Sequence, residues 1–175
     1  MGSAGRFLLT LAGCAALFAF AASVQAQTIA PVCSPVLDAH EFVDAWTAAV
    51  IGPANRDRTC FRQLLTADAR LTGAVPGKEG YPSLVVESPE EFIAWYQHHG
   101  TETFWERTLH STVDVYDNVA RVTRTYEVRS SPAGPIQSRG IEDFQLIFDG
   151  RGWRCFAMLW QDEVSGKPLP PKYEP

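Results

Sequence analysis

The sequence has few of the residues that mark metal centres and surfaces for nucleic acid. Four cysteines and two methionines occur among its 175 residues, and the cysteines lack the spacing of a metal site. Asp and Glu outnumber Lys and Arg by 20 to 15, which gives a net charge of −5 and no basic patch. We therefore expect no metal site, no cofactor and no nucleic-acid partner.

Long apolar runs are also scarce, and the clearest one indicates an export signal. Arg6 precedes residues 7–22, which are almost wholly apolar, and Val24-Gln25-Ala26 offers small residues for cleavage near Ala26. A stable membrane span needs about 20 apolar residues, so this run is too short for one. We predict a signal peptide over residues 1–26 and a periplasmic or secreted mature protein. Leu11-Ala12-Gly13-Cys14 leaves open an alternative, a lipoprotein anchored at Cys14.

The mature chain would keep three cysteines, an odd number for an oxidising compartment. Cys155 lies in an apolar strand pattern that is typical of a buried thiol. By elimination, the residues favour a disulfide between Cys33 and Cys60.

Proline and glycine divide the chain into a lead-in, one domain and a tail. Residues 27–37 are predicted to be irregular, residues 38–162 to form the domain, and the proline-rich residues 163–175 to form an extended arm. Helical apolar spacing follows Asp38, Thr59 and Ser88-Pro89, so we predict three helices, with Trp46 on the apolar face of the first. A short strand over residues 69–75 and a rim loop over residues 73–83 complete this half.

An alternating pattern from Phe104 to Asp162 predicts four antiparallel strands in two hairpins. The first hairpin turns at Asp117-Asn118 and has one polar face, which includes His110, so we expect that histidine to be exposed. Arg124 and Tyr126 are polar groups on the apolar face, where an arginine requires a partner or a ligand.

The second hairpin, aligned by pairing Phe148 with Trp153, is apolar on both faces. One face holds Phe144, Leu146, Cys155, Ala157 and Leu159. The other holds Ile141, Asp143, Gln145, Ile147, Phe156, Met158 and Trp160. A sheet that is apolar on both sides must be covered twice, so we expect helices on one side and a second subunit on the convex side.

Three motifs in this order resemble the nuclear-transport-factor-2-like (NTF2-like) superfamily, also called SnoaL-like or ketosteroid-isomerase-like. They are Leu64-Leu65-Thr66-Ala67-Asp68-Ala69-Arg70-Leu71, Asp117-Asn118-Val119-Ala120-Arg121-Val122 and Asp143-Phe144-Gln145-Leu146-Ile147-Phe148-Asp149-Gly150-Arg151-Gly152-Trp153-Arg154. The resemblance covers residues 38–162 and implies an α+β fold. In that fold a cone-shaped, curved antiparallel sheet of about four to six strands wraps around three helices and encloses an apolar pocket.

The resemblance also implies a place for the site. The pocket aspartic acid and pocket tryptophan of ketosteroid isomerases align with Asp143 and Trp160, so we take their face as the concave one. If the two strands on either side of Ala133-Gly134 pair symmetrically about that loop, Arg124 lies beside Asp143. We therefore predict that the two form an inward ion pair, which is either structural or catalytic. The predicted pocket residues are Trp46, Arg124, Tyr126, Asp143, Gln145, Phe156, Met158 and Trp160.

Three hypotheses of function follow from these residues. The first is an exported domain that binds a small, largely apolar molecule. The second is a lyase, isomerase or hydrolase with Asp143 as acid or base. The third is a dimerising subunit or interaction module without catalysis. Steroid-isomerase chemistry is disfavoured because the position of the general base is Gly73 and the first helix has no tyrosine.

Overall fold

The computed structural model describes residues 32–98, 103–164 and 167–174. The predicted signal peptide, the lipoprotein alternative at Cys14 and residues 27–31 of the lead-in lie outside these residues. No helix in the described ranges is both long and apolar enough to cross a membrane.

The three predicted helices are present, and local hydrogen bonds fix where they begin. A short 3-10 turn at Ala39–Glu41 leads into α1 (Phe42–Val50), and the Asp38 side chain accepts a hydrogen bond from the His40 backbone N–H at 2.9 Å. The others are α2 (Thr59–Gln63) and α3 (Pro89–His98). A capping box opens α3: the Ser88 N–H donates to Glu91 at 2.8 Å, and the Glu91 N–H donates to the Ser88 hydroxyl at 3.3 Å.

Within the described residues, the sheet has seven strands. They are β1 (Gly52–Pro53), β2 (Leu65–Pro76), β3 (Pro82–Glu87), β4 (Thr103–Tyr116), β5 (Val119–Arg129), β6 (Ile136–Phe148) and β7 (Trp153–Asp162). Their spatial order is β1-β4-β5-β6-β7-β2-β3, and every pair is antiparallel except β2 with β7. The predicted α+β class is therefore confirmed. The extra strands are the two-residue β1 and β3, and β3 begins inside the stretch predicted as a rim loop.

The helices pack on one face of the sheet, which we call the concave face, and the opposite side is the outer face. Their contact is aromatic: the Trp46 ring centroid lies 4.8 Å from that of Phe61 and 4.9 Å from that of Phe144. Trp46 is buried at the centre of this cluster. Trp46 and Phe144 meet edge to face, so this pair binds α1 to the sheet through both burial and ring geometry.

The predicted disulfide pairing is confirmed. Cys33 and Cys60 form a disulfide with Cα atoms 5.3 Å apart, and Cys155 is a buried free thiol. The bridge ties the segment before α1 to α2 across 27 positions of sequence.

The first long hairpin has the predicted register up to a bulge at Leu109. Val113 pairs with Val122 and Ser111 with Arg124, as expected from the Asp117-Asn118 turn. Beyond the bulge Thr108, rather than Leu109, pairs with Tyr126. An extra residue in one strand shifts all later pairs and reverses the face of its side chains. Glu106 therefore shares the concave face with Tyr126.

The predicted pairing of Arg124 with Asp143 is wrong by one residue. Arg124 pairs with Glu142 and Val122 with Phe144, and the pairing shifts between Val128 and Arg129 beside the connecting loop. Because side chains alternate along a strand, a slip of one residue exchanges the two faces. Glu142 faces the concave side and Asp143 the outer side.

The last hairpin follows the predicted register only as far as Leu146 with Cys155. A bulge at Phe156 then pairs Gln145 with Ala157 and Phe144 with Met158. Met158 and Trp160 consequently join Phe144 and Leu146 on the concave face, whereas Ile141, Asp143, Gln145 and Leu159 face outward. The predicted division into faces is correct along β6. On β7 it is wrong, because the bulge separates Cys155 from Ala157 and Leu159 and separates Phe156 from Met158 and Trp160.

The proline-rich tail folds back over the outer face. The Thr125 hydroxyl donates to the Tyr173 carbonyl at 2.6 Å, and an Arg139 guanidinium nitrogen donates to Glu174 at 2.6 Å. Thr125 is fully buried. The predicted extended arm is thus held against β5 and β6.

Candidate ligand-binding cavity

A cavity of about 440 Å³ opens on the concave side between α3 and the sheet. Its aromatic lining residues are Phe92, Trp95, Tyr96, Phe104, Tyr126 and Trp160, and its aliphatic ones are Val75, Val85 and Val128. Its polar lining residues are Glu87, Glu106, Ser138, Glu142 and Asp162. Apolar walls with a few convergent polar groups are typical of small-molecule sites.

Two glycines make room for the large rings of this cavity. A Cβ atom on Gly73 would lie 2.3 Å from Cζ2 of Trp160, its partner across the β2–β7 pair. A Cβ atom on Gly140 would lie 2.5 Å from the Tyr126 hydroxyl. Real Cβ contacts are not this short, so the positions of both rings depend on glycine. At Gly73, the indole of Trp160 covers the backbone.

Beneath the cavity, Arg124 links two buried glutamates. Its Nε donates to Glu142 at 2.5 Å, and its Nη2 pairs with Glu106. Its Nη1 donates to the hydroxyls of Thr47 at 2.9 Å and Thr108 at 3.3 Å. The side chains of Arg124, Glu106 and Glu142 are 0%, 5% and 7% exposed, so the cluster is shielded from water.

Burial perturbs the acid–base properties of this cluster. Burial alone would lower the pKa of Arg124, but the charges of Glu106 and Glu142 outweigh it and raise that pKa. Burial raises the pKa of Glu142 to about 7, with Glu106 adding to the effect and Arg124 opposing it. Glu142 is therefore a carboxyl group that exchanges its proton near neutral pH.

Tyr126 and Asp162 extend the polar network to the cavity rim. The Tyr126 hydroxyl donates a hydrogen bond to the Asp162 carboxylate. Burial, and then the negative charges of Glu142 and Asp162, raise the pKa of Tyr126. Tyr126 is thus a neutral hydrogen-bond donor at physiological pH.

The residues predicted for the site divide into three groups. Tyr126 and Trp160 line the cavity, and Arg124 lies directly behind its two lining glutamates. Trp46 and Met158 are buried in the core. Asp143, Gln145 and Phe156 are on the outer face, because of the one-residue register difference and the bulge at Phe156.

The predicted ion pair between Arg124 and Asp143 is replaced by a pair on the outer face. Asp143 accepts hydrogen bonds from Arg121 Nε at 2.8 Å and from the Thr123 hydroxyl at 3.1 Å. The side chain of Arg121 is 65% exposed. The candidate acid or base of the sequence therefore points away from the cavity.

Sequence reasoning missed Glu106, Glu142 and Asp162. A signal for Glu142 was present, since alternation along β6 places it with the apolar Phe144 and Leu146. A carboxyl group on an otherwise apolar face is the same anomaly that drew attention to Arg124 on β5. Glu106 had no such signal, because the bulge at Leu109 decides which way it points.

A second cavity, of about 310 Å³, lies beside the disulfide and is lined by Arg56, Arg151 and Arg154 among others. Arg56 donates to the carbonyl groups of Ala48 at 2.9 Å and Ile51 at 2.5 Å. Arg154 donates to Asp149 at 2.5 Å. These two guanidinium groups are engaged within the protein, so we regard the concave cavity as the candidate site.

Within the described residues, no group of three or more His, Cys, Asp or Glu side chains is arranged to hold a metal ion. Of the carboxyl groups that line the cavity, Glu106 and Glu142 are engaged by Arg124 and Asp162 by Tyr126.

Comparisons with known proteins agree with the resemblance in the motifs. No family model matches the chain, and no curated protein matches it. Among solved structures, a cystatin-like protein of unknown function from Nostoc punctiforme is similar with a TM-score of 0.55, 12% identity, and coverage of 74% of this chain and 96% of that one. A protein of unknown function from Mycobacterium tuberculosis has a TM-score of 0.55, 14% identity and 75% coverage of both chains. An NTF2-like protein from Cytophaga hutchinsonii has a TM-score of 0.53, 12% identity, and coverage of 71% and 94%.

At these identities the similarity is one of fold and leaves the function to be argued from the site. The predicted NTF2-like, cystatin-like fold is confirmed.

Proposed function

From this NTF2-like fold and its cavity, we propose that the protein binds a small, largely apolar molecule on the concave side of the sheet. The observation that carries the proposal is the aromatic lining, in which Trp160 and Tyr126 occupy space that Gly73 and Gly140 leave free. The cavity volume of about 440 Å³ falls within the range of small-molecule sites.

A pair of substitutions on β6 tests this proposal. Ser138 lines the cavity, whereas Gln145 lies on the outer face of the same strand. Ser138→Phe should fill the cavity and abolish binding of a neutral apolar probe such as phenylbutanol, measured by calorimetry. Gln145→Phe is the matched control and should bind as the wild type does. Equal binding by the wild type and Ser138→Phe, with both variants folded by circular dichroism, would place the probe elsewhere and refute the proposal.

A second candidate function is proton transfer to or from the bound molecule. The specific observation in its favour is that the Glu142 carboxyl group, held by Arg124, lines the cavity, and burial raises its pKa to about 7. General acid–base catalysis is most effective when the pKa lies near the working pH. Glu142 takes the role that the sequence assigned to Asp143. Turnover that disappears in Glu142→Gln while ligand affinity persists would favour the enzyme.

We propose further that the domain is exported. The disulfide between Cys33 and Cys60 supports an oxidising compartment, where such bridges persist. Mass spectrometry of protein purified from its own source tests this. A mature N-terminus near Gln27 is expected, and an unprocessed chain would contradict export. A lipid mass on Cys14 would replace cleavage near Ala26 by the lipoprotein alternative.

We also propose that a second copy of the chain covers the outer face. Exposed apolar side chains there include Val119, Ile147, Phe156 and Leu159. Such a face favours association. Sedimentation at micromolar concentration should show a dimer that Leu159→Lys weakens, and a monomeric wild type would contradict this.

A further inference from the structure

The cavity has carboxyl groups and no positive charge among its described lining residues. Glu87, Glu106, Glu142 and Asp162 line it, and none of the lining residues is Lys, Arg or His. Behind the wall, Arg124 is paired with both Glu106 and Glu142. One guanidinium charge therefore faces two buried carboxyl groups. The other two carboxyl groups, Glu87 and Asp162, add to the excess of negative charge.

The titratable groups around Glu142 come from four elements. Arg124 and Tyr126 approach from β5, Glu106 from β4, Asp162 and Cys155 from β7 and Tyr96 from α3. Among these groups only Arg124 is a cation. Arg58 lies behind Tyr96, 4.7 Å from the ring centroid, and donates to the backbone carbonyl groups of Ala49 and Val50.

This excess of negative charge is reflected in the pKa of Glu142. A buried carboxylate is costly unless a positive charge or hydrogen-bond donors compensate it. Even beside Arg124, burial raises the pKa of Glu142 to about 7, so the cluster is short of positive charge at neutral pH. A cation entering the cavity would supply it.

The aromatic walls of the cavity suit the apolar body of a ligand that carries such a cation. Aromatic rings attract cations through their negatively polarised faces and also bury apolar groups. Phe92 and Trp160 meet edge to face with centroids 5.8 Å apart, and Tyr96 and Phe104 with centroids 5.2 Å apart. The same rings therefore accept an apolar body and tolerate a charged head beside the glutamates.

We propose that the cavity takes an apolar organic cation, an amine or quaternary ammonium compound whose charge is held beside Glu142 and Glu106 and whose body lies against Trp160. The inference rests on the proposed binding function, since it names the ligand class of that same cavity. An anionic ligand of the same shape would meet the excess carboxyl charge and is rejected.

Calorimetry of the full mature chain with three probes that share a phenylalkyl body distinguishes a preference for a cationic, a neutral or an anionic ligand. Phenylpropyltrimethylammonium carries a fixed positive charge, phenylbutanol is neutral and phenylbutyrate is anionic. We expect the cation to bind at least about tenfold more tightly than the alcohol, a difference that one compensated charge supplies, and the anion to bind worst. Equal affinity of cation and alcohol would overturn the ligand class while leaving the binding function intact. Failure of all three to bind would refute the binding function itself.

Substitutions then identify which carboxyl groups attract the cation. Glu142→Gln should lower the affinity for the cation by about tenfold and leave that for the alcohol unchanged. Asp143→Asn is the matched control, because the neighbouring residue points to the outer face and pairs with Arg121. Asp162→Asn, at the exposed rim, gives a second reading at a carboxyl group that is bonded to Tyr126 and not to Arg124. Unchanged cation affinity in both Glu142→Gln and Asp162→Asn would overturn the assignment.

The pH dependence gives an independent check with a probe whose own charge is fixed. Because ionised Glu142 attracts the cation, affinity for phenylpropyltrimethylammonium should rise as the pH increases through about 7. The rise should be absent in Glu142→Gln and absent for phenylbutanol. A flat profile for the cation in the wild type would contradict the role of Glu142.

Discussion

Replacing Arg124 by methionine should be among the most destabilising single changes in this protein. The side chain is fully buried, and its removal would leave Glu106 and Glu142 without a cation in a site that is 5% and 7% exposed. It would also remove the hydrogen bonds to Thr47 and Thr108, through which β5 contacts α1 and β4. Breaking one side of a buried ion pair costs about 3–5 kcal/mol, because the partner charge stays buried and uncompensated.

The assay is urea unfolding at neutral pH, followed by circular dichroism, with Arg121→Met as the matched control. Arg121 lies three positions earlier on the same strand and pairs with Asp143, but its side chain is 65% exposed. Exposed ion pairs contribute about 0–1 kcal/mol, so the control should unfold nearly as the wild type does. Adding Glu142→Gln to Arg124→Met should restore part of the loss, since one uncompensated carboxylate disappears. Equal losses in Arg124→Met and Arg121→Met would refute this account of the buried cluster.

Three further predictions concern Glu142, Gly73 and Cys33. The pKa of Glu142 rises from 4.5 to about 7 on folding, so the folded state binds more protons between these values. The free energy of unfolding should therefore fall as the pH rises from about 5 to 8, and Glu142→Gln should flatten this slope in urea titrations. Gly73→Ala should displace the Trp160 ring and cost about 1–3 kcal/mol, with a change in near-ultraviolet circular dichroism; an unchanged spectrum would contradict the predicted contact. Cys33→Ser opens a loop of 27 positions and should cost about 2–5 kcal/mol in thermal or urea unfolding, and a variant as stable as the wild type would show that the bridge adds nothing.

The parts of the fold that could be predicted are those that local chemistry determines. Ser88, Pro89 and Glu91 together specify the start of a helix, and the structure has their capping box. The Asp117-Asn118 turn places Asp117 at φ 50°, a conformation that suits a two-residue hairpin and fixes the register on both sides. Short-range signals of this kind act through neighbouring residues and can be read without the rest of the chain.

The site could not be predicted because it depends on register across longer distances. The loop between β5 and β6 has no turn of fixed length, and an error of one residue there exchanged Asp143 for Glu142. The bulges at Leu109 and Phe156 have no marker such as glycine, yet they decide the orientation of Glu106 and of Trp160. Conversely, the apolar alternation of Phe144 and Leu146 was correct, and following it to Glu142 would have located the buried carboxyl group.

The arrangement around Arg124 bears on function because it is a poor device for stability alone. Well-packed apolar residues in place of a buried ion cluster are often as stabilising or more so. Here the cluster retains a carboxyl group with a pKa of about 7 and presents it to a cavity whose walls are otherwise mainly aromatic. A purely structural cluster would be expected to balance its charges and to present no carboxyl group to a cavity. This one leaves negative charge in excess at the floor of an opening large enough for a small molecule, and that excess favours a site in which the balancing charge arrives with the ligand.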